Sequence, residues 1–261
     1  MKAVILAGGR GTRLFPLTKV ASKQLLPVYD KPLIYYPLST LMLAGVQEVL
    51  VITTPEHNQM FRNLLGDGSQ FGIQIQYLIQ TQPGGLAEGI KLASKFLGGE
   101  SFAFILGDNI FYGTGLGREL MKHQDTIGAH VFGYSVSNPS DYGVAEIGID
   151  GRVISLEEKP LKPRSNIAIT GLYFYDQFAV EYANQLKPSS RGELEITDLN
   201  LKYLEMGQLQ CTILPRGTAW LDTGSFKGLH DAATFVRLTE ERTGLRIGDP
   251  TDVARVQGWI D

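Results

Sequence analysis

Apolar residues in the first half of the chain fall into short continuous runs separated by stretches of helical spacing. Val4 to Leu6, Val49 to Thr53 and Phe102 to Leu106 are uninterrupted apolar runs, and Ile73 to Ile79 alternates. Between them, residues 32–44, 56–65 and 86–96 read as helices; in the last, Leu86, Ile90, Ala93 and Leu97 keep the helical period. Alternation of this kind predicts parallel βαβ units with helices on both faces of a sheet. The second half is richer in strands, expected at 131–136, 144–149, 153–156, 169–175 and 209–214, with Asp150-Gly151 as a two-residue hairpin turn. Helices are expected there at 177–186, 195–206 and 225–243. No repeat, low-complexity segment or linker interrupts the chain, so the expectation is one α/β domain over residues 1–261 with a β-rich lobe.

In such sheets ligands bind beyond the carboxyl ends of the strands. Three segments follow predicted strands: Gly8-Gly9-Arg10-Gly11-Thr12-Arg13, the Gln80 segment, and Gly107-Asp108-Asn109. Glycine lacks a Cβ, so its N–H can approach an anion closely, and the first segment reads as a phosphate-binding loop. Thr12 adds a hydroxyl donor, Arg13 a guanidinium fork, and Lys23 a second cation. Two familiar loops are excluded. No Gly-Lys-Ser/Thr follows Gly8 or Gly9, as a P-loop requires, and Leu14 stands where the dinucleotide fingerprint needs a small residue.

Asp108 is suited to Mg²⁺, an oxygen-seeking ion held by one or two carboxylates plus phosphates. Asn109 and Phe111 supply no second acid, whereas Asp222, expected just after the apolar run at Trp220-Leu221, does. Each aspartate alone reads equally well as a cap or turn former; together with a phosphate loop they favour the metal. Glu158-Lys159-Pro160 sets an acid beside a cation, for a sugar hydroxyl and a phosphate or as a solvated turn, and the proline keeps Lys159 out of helical conformation. Arg191 could reach the same phosphate or lie idle before an acidic helix. His57, His123, His130 and His230 share no ligand spacing, Cys211 sits in a predicted strand as an inert thiol, and no Gly-x-Ser-x-Gly elbow occurs. Phosphate binders and metal ligands are present; a covalent catalyst is not in evidence.

Bulk properties narrow the partners. A net charge of −3 gives no reason to expect nucleic acid or an acidic membrane, so any cationic site is local. One cysteine excludes an internal disulfide and fits a reducing compartment. With no signal-peptide pattern and no apolar run near the roughly 20 residues that span a bilayer, a cytoplasmic location is expected.

Taken in order, Gly8 to Leu14, Lys23-Gln24-Leu25-Leu26-Pro27-Val28, Gly107 to Gly113, Glu157-Glu158-Lys159-Pro160, Thr170 to Tyr175, Arg191 to Asp198 and Trp220 to Gly224 closely resemble the glucose-1-phosphate thymidylyltransferases, over essentially the whole chain. The resemblance implies a nucleotidyltransferase or glycosyltransferase-A-like fold: a mostly parallel Rossmann-like central sheet and a smaller β-rich sugar-binding lobe. It implies that Gly8, Gly9, Gly11, Thr12 and Arg13 hold the deoxyribose and triphosphate of dTTP, with Lys23 and Gln24 near its phosphates. Gln80, Gly85 and Leu86 would read the thymine edge, beside a Pro83-Gly84 turn. Asp108 and Asp222 would hold Mg²⁺. Asn109, Tyr142, Gly143, Glu158, Ile169 and Gly171 would line a glucose pocket, with Lys159 and Arg191 on the sugar phosphate. Arg13, Lys23, Lys159 and Arg191 would be the catalytic cations, in a homo-oligomer, dimer or tetramer. Many members of that family continue past the point where this chain stops, with a tail that packs at the subunit interface near a second nucleotide site; catalysis is expected without it. A uridylyl- or other nucleotidylyltransferase is the alternative within the same chemistry, and a non-catalytic sugar-nucleotide sensor the alternative outside it.

Overall fold

The computed structural model describes residues 1–9, 11–82 and 84–261. The chain is α/β, with a central, mostly parallel sheet flanked by helices, and it divides into two compact units. The first comprises Met1–Pro83, Ile105–Lys122 and Gly217–Asp261; the second comprises Gly84–Phe104 and His123–Arg216.

In the first unit, strands Lys2–Ala7, Glu48–Thr53 and Gln74–Ile79 lie parallel, with Ala3 opposite Val49 and Val49 opposite Ile75. The first two are buried almost throughout, as their unbroken apolar runs require. Gln74–Ile79 is partly exposed, as its polar positions predict. The helix expected over 32–44 is Tyr35–Leu43, because Lys31–Pro32 instead pairs antiparallel with Pro27–Val28. Pro37 falls in that helix's first turn, where no backbone N–H is needed.

Two strands escaped the periodicity reading. Asn109–Tyr112 and Ala219–Asp222 form an antiparallel ribbon with Asn109 opposite Asp222 and Phe111 opposite Trp220. Asp222 therefore ends a strand and does not follow one. Side chains alternate across the ribbon. Ile110, Tyr112 and Leu221 join an apolar cluster with Val28, Leu33, Tyr36, Val236 and Ile247. Asn109, Trp220 and Asp222 take the other face, and burial of the apolar partners anchors that polar row.

The second unit is β-rich. Ile167–Tyr175 pairs antiparallel with both Ala129–Ser135 and Gly143–Ile147; Val153–Glu158 adds antiparallel to Gly143–Ile147, and Leu209–Ile213 parallel to Ala129–Ser135. The hairpin at Asp150-Gly151 is longer than expected. The Gly148 N–H donates to the Arg152 carbonyl at 2.8 Å, enclosing three residues with Gly151 in the left-handed region, a turn-plus-bulge loop. The helix expected over 86–96 breaks into Leu86–Leu92 and Ser94–Leu97, with Ala93 capping both. Among the described residues no helix is long and apolar enough to cross a membrane.

Candidate functional site

Within the first unit the glycine loop, Gln80 and Asp108 gather at the carboxyl ends of the strands. The Gln80 N–H donates to the Thr53 carbonyl at 2.8 Å, and its side chain is buried. A Cβ on Gly8 would stand 2.7 Å from Gln80 Oε1, so the absence of a side chain at Gly8 is what admits the amide. Gly8, Gly9, Thr54, His57, Gln80 and Thr81 line a cavity of about 200 Å³. Thr12 and Arg13 are exposed on the short 3₁₀ turn Thr12–Leu14 that follows Gly11. Lys23 and Gln24 are buried on another, Lys23–Leu25, where the Ser22 hydroxyl donates to Gln24 Oε1 at 2.6 Å.

Two carboxylates meet there. Lys23 Nζ ion-pairs with Asp108 Oδ2, and Asn109 Nδ2 donates to Asp108 Oδ1 at 2.9 Å. Thr223 closes the backbone around them, its hydroxyl donating to the Asp108 carbonyl at 2.8 Å, while the Gly224 N–H donates to Asp222 Oδ1 at 3.0 Å. Burial pushes the Asp108 carboxyl up, but the Lys23 charge and the hydrogen bonds from Lys23 and Asn109 outweigh it and hold the group below the usual range. Asp222 goes the other way: burial and then the Asp108 charge raise it, only partly offset by Lys23, the Gly224 N–H and Arg13. Two acids close enough to repel, both removed from solvent, are a poor arrangement for the protein alone and a good one for a divalent cation. Among the described residues no group of three or more acids, histidines or cysteines could enclose a metal alone. The pair fits an ion that takes its remaining oxygens from phosphates and water.

The second unit assembles an acid and two cations. Glu158 ends the strand Val153–Glu158 opposite Gly143, and the Thr197 hydroxyl donates to Glu158 Oε2 at 2.5 Å. The Lys159 N–H then donates to the Tyr142 carbonyl at 3.0 Å. Lys159 has φ 45°, a left-handed conformation unusual for a side-chain-bearing residue, so the strand end turns sharply. Its ammonium is half-exposed, 3.6 Å from Glu158 Oε1. Ile169 borders a bulge and Gly171 lies within it: Ile169 pairs with Gly133 and Tyr173 with Val131, so the segment between leaves the ladder. Arg191 is held by Glu195, from its Nη2 to Oε2 at 2.8 Å and its Nε to Oε1 at 3.1 Å. The Glu195 carboxyl, pushed up by burial, is pulled below its usual range by hydrogen bonds from Arg191 and Ser189. Gly85, at φ 98°, brings the start of the helix Leu86–Leu92 against Leu194; a Cβ there would lie 2.4 Å from the Leu194 carbonyl oxygen.

The expected site residues thus divide between the units. Gly8, Gly9, Gly11, Thr12, Arg13, Lys23, Gln24, Gln80, Asp108, Asn109 and Asp222 belong to the first; Gly85, Leu86, Tyr142, Gly143, Glu158, Lys159, Ile169, Gly171 and Arg191 belong to the second. Pro83 lies outside the described residues. Asn109, expected beside the sugar residues, has its amide on Asp108 and Trp220. Sequence reasoning passed over Thr197, Thr223 and Glu195. The i,i+4 spacing of Arg191 and Glu195 was the available signal for the last of these. Asp198 was also missed: burial, then Glu195 and Glu158, raise its carboxyl. A raised folded value means that stability falls as pH climbs from the ordinary 3.8 through the folded value. Asp198→Asn is therefore expected to raise the unfolding midpoint at pH 7, modestly because the carboxyl is partly solvated, with the gain over the parent vanishing below pH 4. Thermal scans at both pH values check it.

A family model described as nucleotidyl transferase matches residues 2–238, running through both units. The chain is 54% identical over 261 residues to a curated glucose-1-phosphate thymidylyltransferase of Mycobacterium tuberculosis, covering 100% of this chain and 91% of the relative. Among solved structures, a Bacillus anthracis protein assigned as a candidate glucose-1-phosphate thymidylyltransferase, in complex with sucrose, superposes with TM-score 0.85 at 38% identity, covering 97% of this chain and 99% of its own. A UDP-glucose pyrophosphorylase complexed with UDP-glucose gives TM-score 0.80 at 26% identity, over 91% of this chain and 98% of its own.

Proposed function

The chain belongs to the nucleotidyl transferase family, and from that premise we propose that it transfers the thymidylyl group of dTTP to α-D-glucose 1-phosphate, yielding dTDP-glucose and pyrophosphate. The observation that carries the reading is the paired Asp108 and Asp222 beside Lys23 and the glycine loop, in a chain 54% identical to a protein of that name. The first unit would bind nucleotide and Mg²⁺, the second the sugar phosphate through Glu158, Lys159 and Arg191.

A sugar phosphate has its second pKa near 6, so its oxygen is already largely deprotonated at neutral pH and no general base is needed. The difficulty is repulsion: each pair of unit charges 4 Å apart costs about 4 kcal/mol at an effective dielectric of 20. Arg13 and Lys23 would offset the triphosphate charge, and Lys159 and Arg191 that of the attacking phosphate. Mg²⁺ held by Asp108 and Asp222 would supply the divalent charge that neither arginine nor lysine can. The bond formed joins a sugar-phosphate oxygen to the α-phosphorus; the bond broken is the α–β bridge, whose electron pair leaves with pyrophosphate in line with attack. No side chain forms a covalent intermediate. Lys23 must exchange Asp108 for phosphate oxygens, and Arg191 reaches its phosphate while still steadied by Glu195.

Gln80 does not itself choose the base, because the edge its amide would meet is common to thymine and uracil. Thymidylyl transfer is favoured by 54% identity to a thymidylyltransferase against 26% to a UDP-glucose pyrophosphorylase. A pyrophosphate-release assay with glucose 1-phosphate and dTTP, dUTP or UTP is expected to give the highest kcat/KM with dTTP. Background release with every nucleotide and sugar phosphate would reject a transferase in favour of a sensor. Gly8→Ala tests the base site. The added methyl meets the end of a side chain rather than backbone, so the fold survives while Gln80 shifts. Loss of one aligned hydrogen bond, about 1.4 kcal/mol, is expected to raise KM for dTTP about tenfold and leave KM for glucose 1-phosphate unchanged; initial-rate kinetics decide it.

A further inference from the structure

Trp220 Nε1 donates to Asn109 Oδ1 at 2.6 Å, and Asn109 Nδ2 donates to Asp108 Oδ1 at 2.9 Å. The direction of this chain is fixed chemically. An indole nitrogen can only donate, so the amide must turn its oxygen to Trp220 and its NH₂ to the carboxylate. Strand geometry prepares the contact. Asn109 stands opposite Asp222 and Trp220 opposite Phe111, so Trp220 and Asn109 are diagonal neighbours on the ribbon face that also carries Asp222. Trp220 and Asn109 are both buried, and the residues that follow them, Leu221 and Ile110, belong to the apolar cluster beneath.

We propose that Trp220 and Asn109 form a positioning relay: the indole N–H orients the Asn109 amide, which holds the Asp108 carboxylate in the rotation that presents it to a divalent cation. This rests on the reading of Asp108 as a metal ligand. It gives Asn109 a role in addition to the expected one of lining the sugar pocket, and gives Trp220 one beyond packing. With Oδ1 held by Asn109, Oδ2, which pairs with Lys23, would be the oxygen left to face a cation. In this relay Trp220 acts on the carboxylate through Asn109, and is a positioning residue. Partners that hydrogen-bond to a metal ligand typically change affinity 10–100-fold when removed.

The test uses the full chain with Mn²⁺ and saturating dTTP, without sugar phosphate, reading protein-bound Mn²⁺ by electron paramagnetic resonance. Asn109→Ala is expected to weaken Mn²⁺ binding about tenfold and Trp220→Phe severalfold. The double variant should match Asn109→Ala alone, because a relay gives non-additive losses. In turnover, Trp220→Phe should raise the Mg²⁺ concentration for half-maximal rate while kcat at saturating Mg²⁺ stays near the parent value. Should Trp220→Phe fail to fold, benzothienylalanine at position 220 keeps the ring and its volume and lacks only the N–H. Additive losses, or a Trp220 variant with parental Mn²⁺ affinity, overturn the relay. Asp108→Asn that binds Mn²⁺ like the parent removes the metal-ligand reading and the relay with it. Parental pyrophosphate release from dTTP and glucose 1-phosphate reports separately on the proposed reaction.

Discussion

Asp222→Asn is expected to lower kcat by about 10²–10³, the loss typical when one preorganised stabiliser of transition-state charge is removed. The same substitution is expected to make the protein more stable. At neutral pH the Asp222 carboxylate is disfavoured by burial and by the Asp108 charge, so its ionised form weakens the fold. An amide has nearly the same shape and no charge to desolvate, and it can still accept the Gly224 N–H. Lower turnover with a higher unfolding midpoint is the signature of a charge kept for function at the expense of stability. Apparent Mg²⁺ affinity should weaken in parallel, while glucose 1-phosphate affinity changes far less. Steady-state kinetics across Mg²⁺ concentrations and a thermal scan measure all three. Parental rates would remove Asp222 from the metal site; loss of both rate and stability would make it a structural residue.

Lys159→Ala carries the second large effect, and it should fall on the other substrate. The ammonium lies 3.6 Å from Glu158 Oε1, beyond hydrogen-bonding distance, and the Lys159 side chain is 47% exposed, so it can turn to a phosphate. A charged hydrogen-bond partner lost from such a pair costs about 3 kcal/mol, within the 2–5 seen for truncated charge pairs, or roughly a hundredfold. kcat/KM for glucose 1-phosphate should fall by that factor while KM for dTTP stays near the parent value; an effect confined to dTTP would refute the assignment. Lys159→Gly separates charge from backbone. Both variants lose the ammonium, but glycine adopts φ 45° without the strain that alanine keeps, so Lys159→Gly should be the more stable and equally impaired. Equal stability of the two would mean that the turn held by the Tyr142 carbonyl carries no strain.

The fold was legible where local patterning reports burial. The runs at Val4, Val49 and Phe102 and the alternation at Ile73 became strands within a residue or two of their expected ends, because a chain segment apolar on both faces has few other stable states. The helices over 195–206 and 225–243 also formed nearly as read; Ser225 caps the latter by accepting the Gly228 N–H. Misreadings came where a short-range rule met a longer-range competitor. Pro32 went to a ribbon with Pro27, and Asp150-Gly151 joined a three-residue loop because Gly148 and Arg152 close it.

By itself the sequence determined the alternating β and α character, the glycine loop after the first strand, and the presence of aspartates and cations suited to phosphate and metal. These depend on residue type and near neighbours, which the linear order contains. Only the tertiary structure decided how those groups are used. Lys23 pairs with Asp108 from 85 positions away, and Trp220 reaches Asn109 from 111. Whether two carboxylates repel, or an amide turns its oxygen to an indole, depends on separations of a few ångströms. Those separations arise when apolar residues such as Ile110 and Leu221 are buried together and carry their polar neighbours with them.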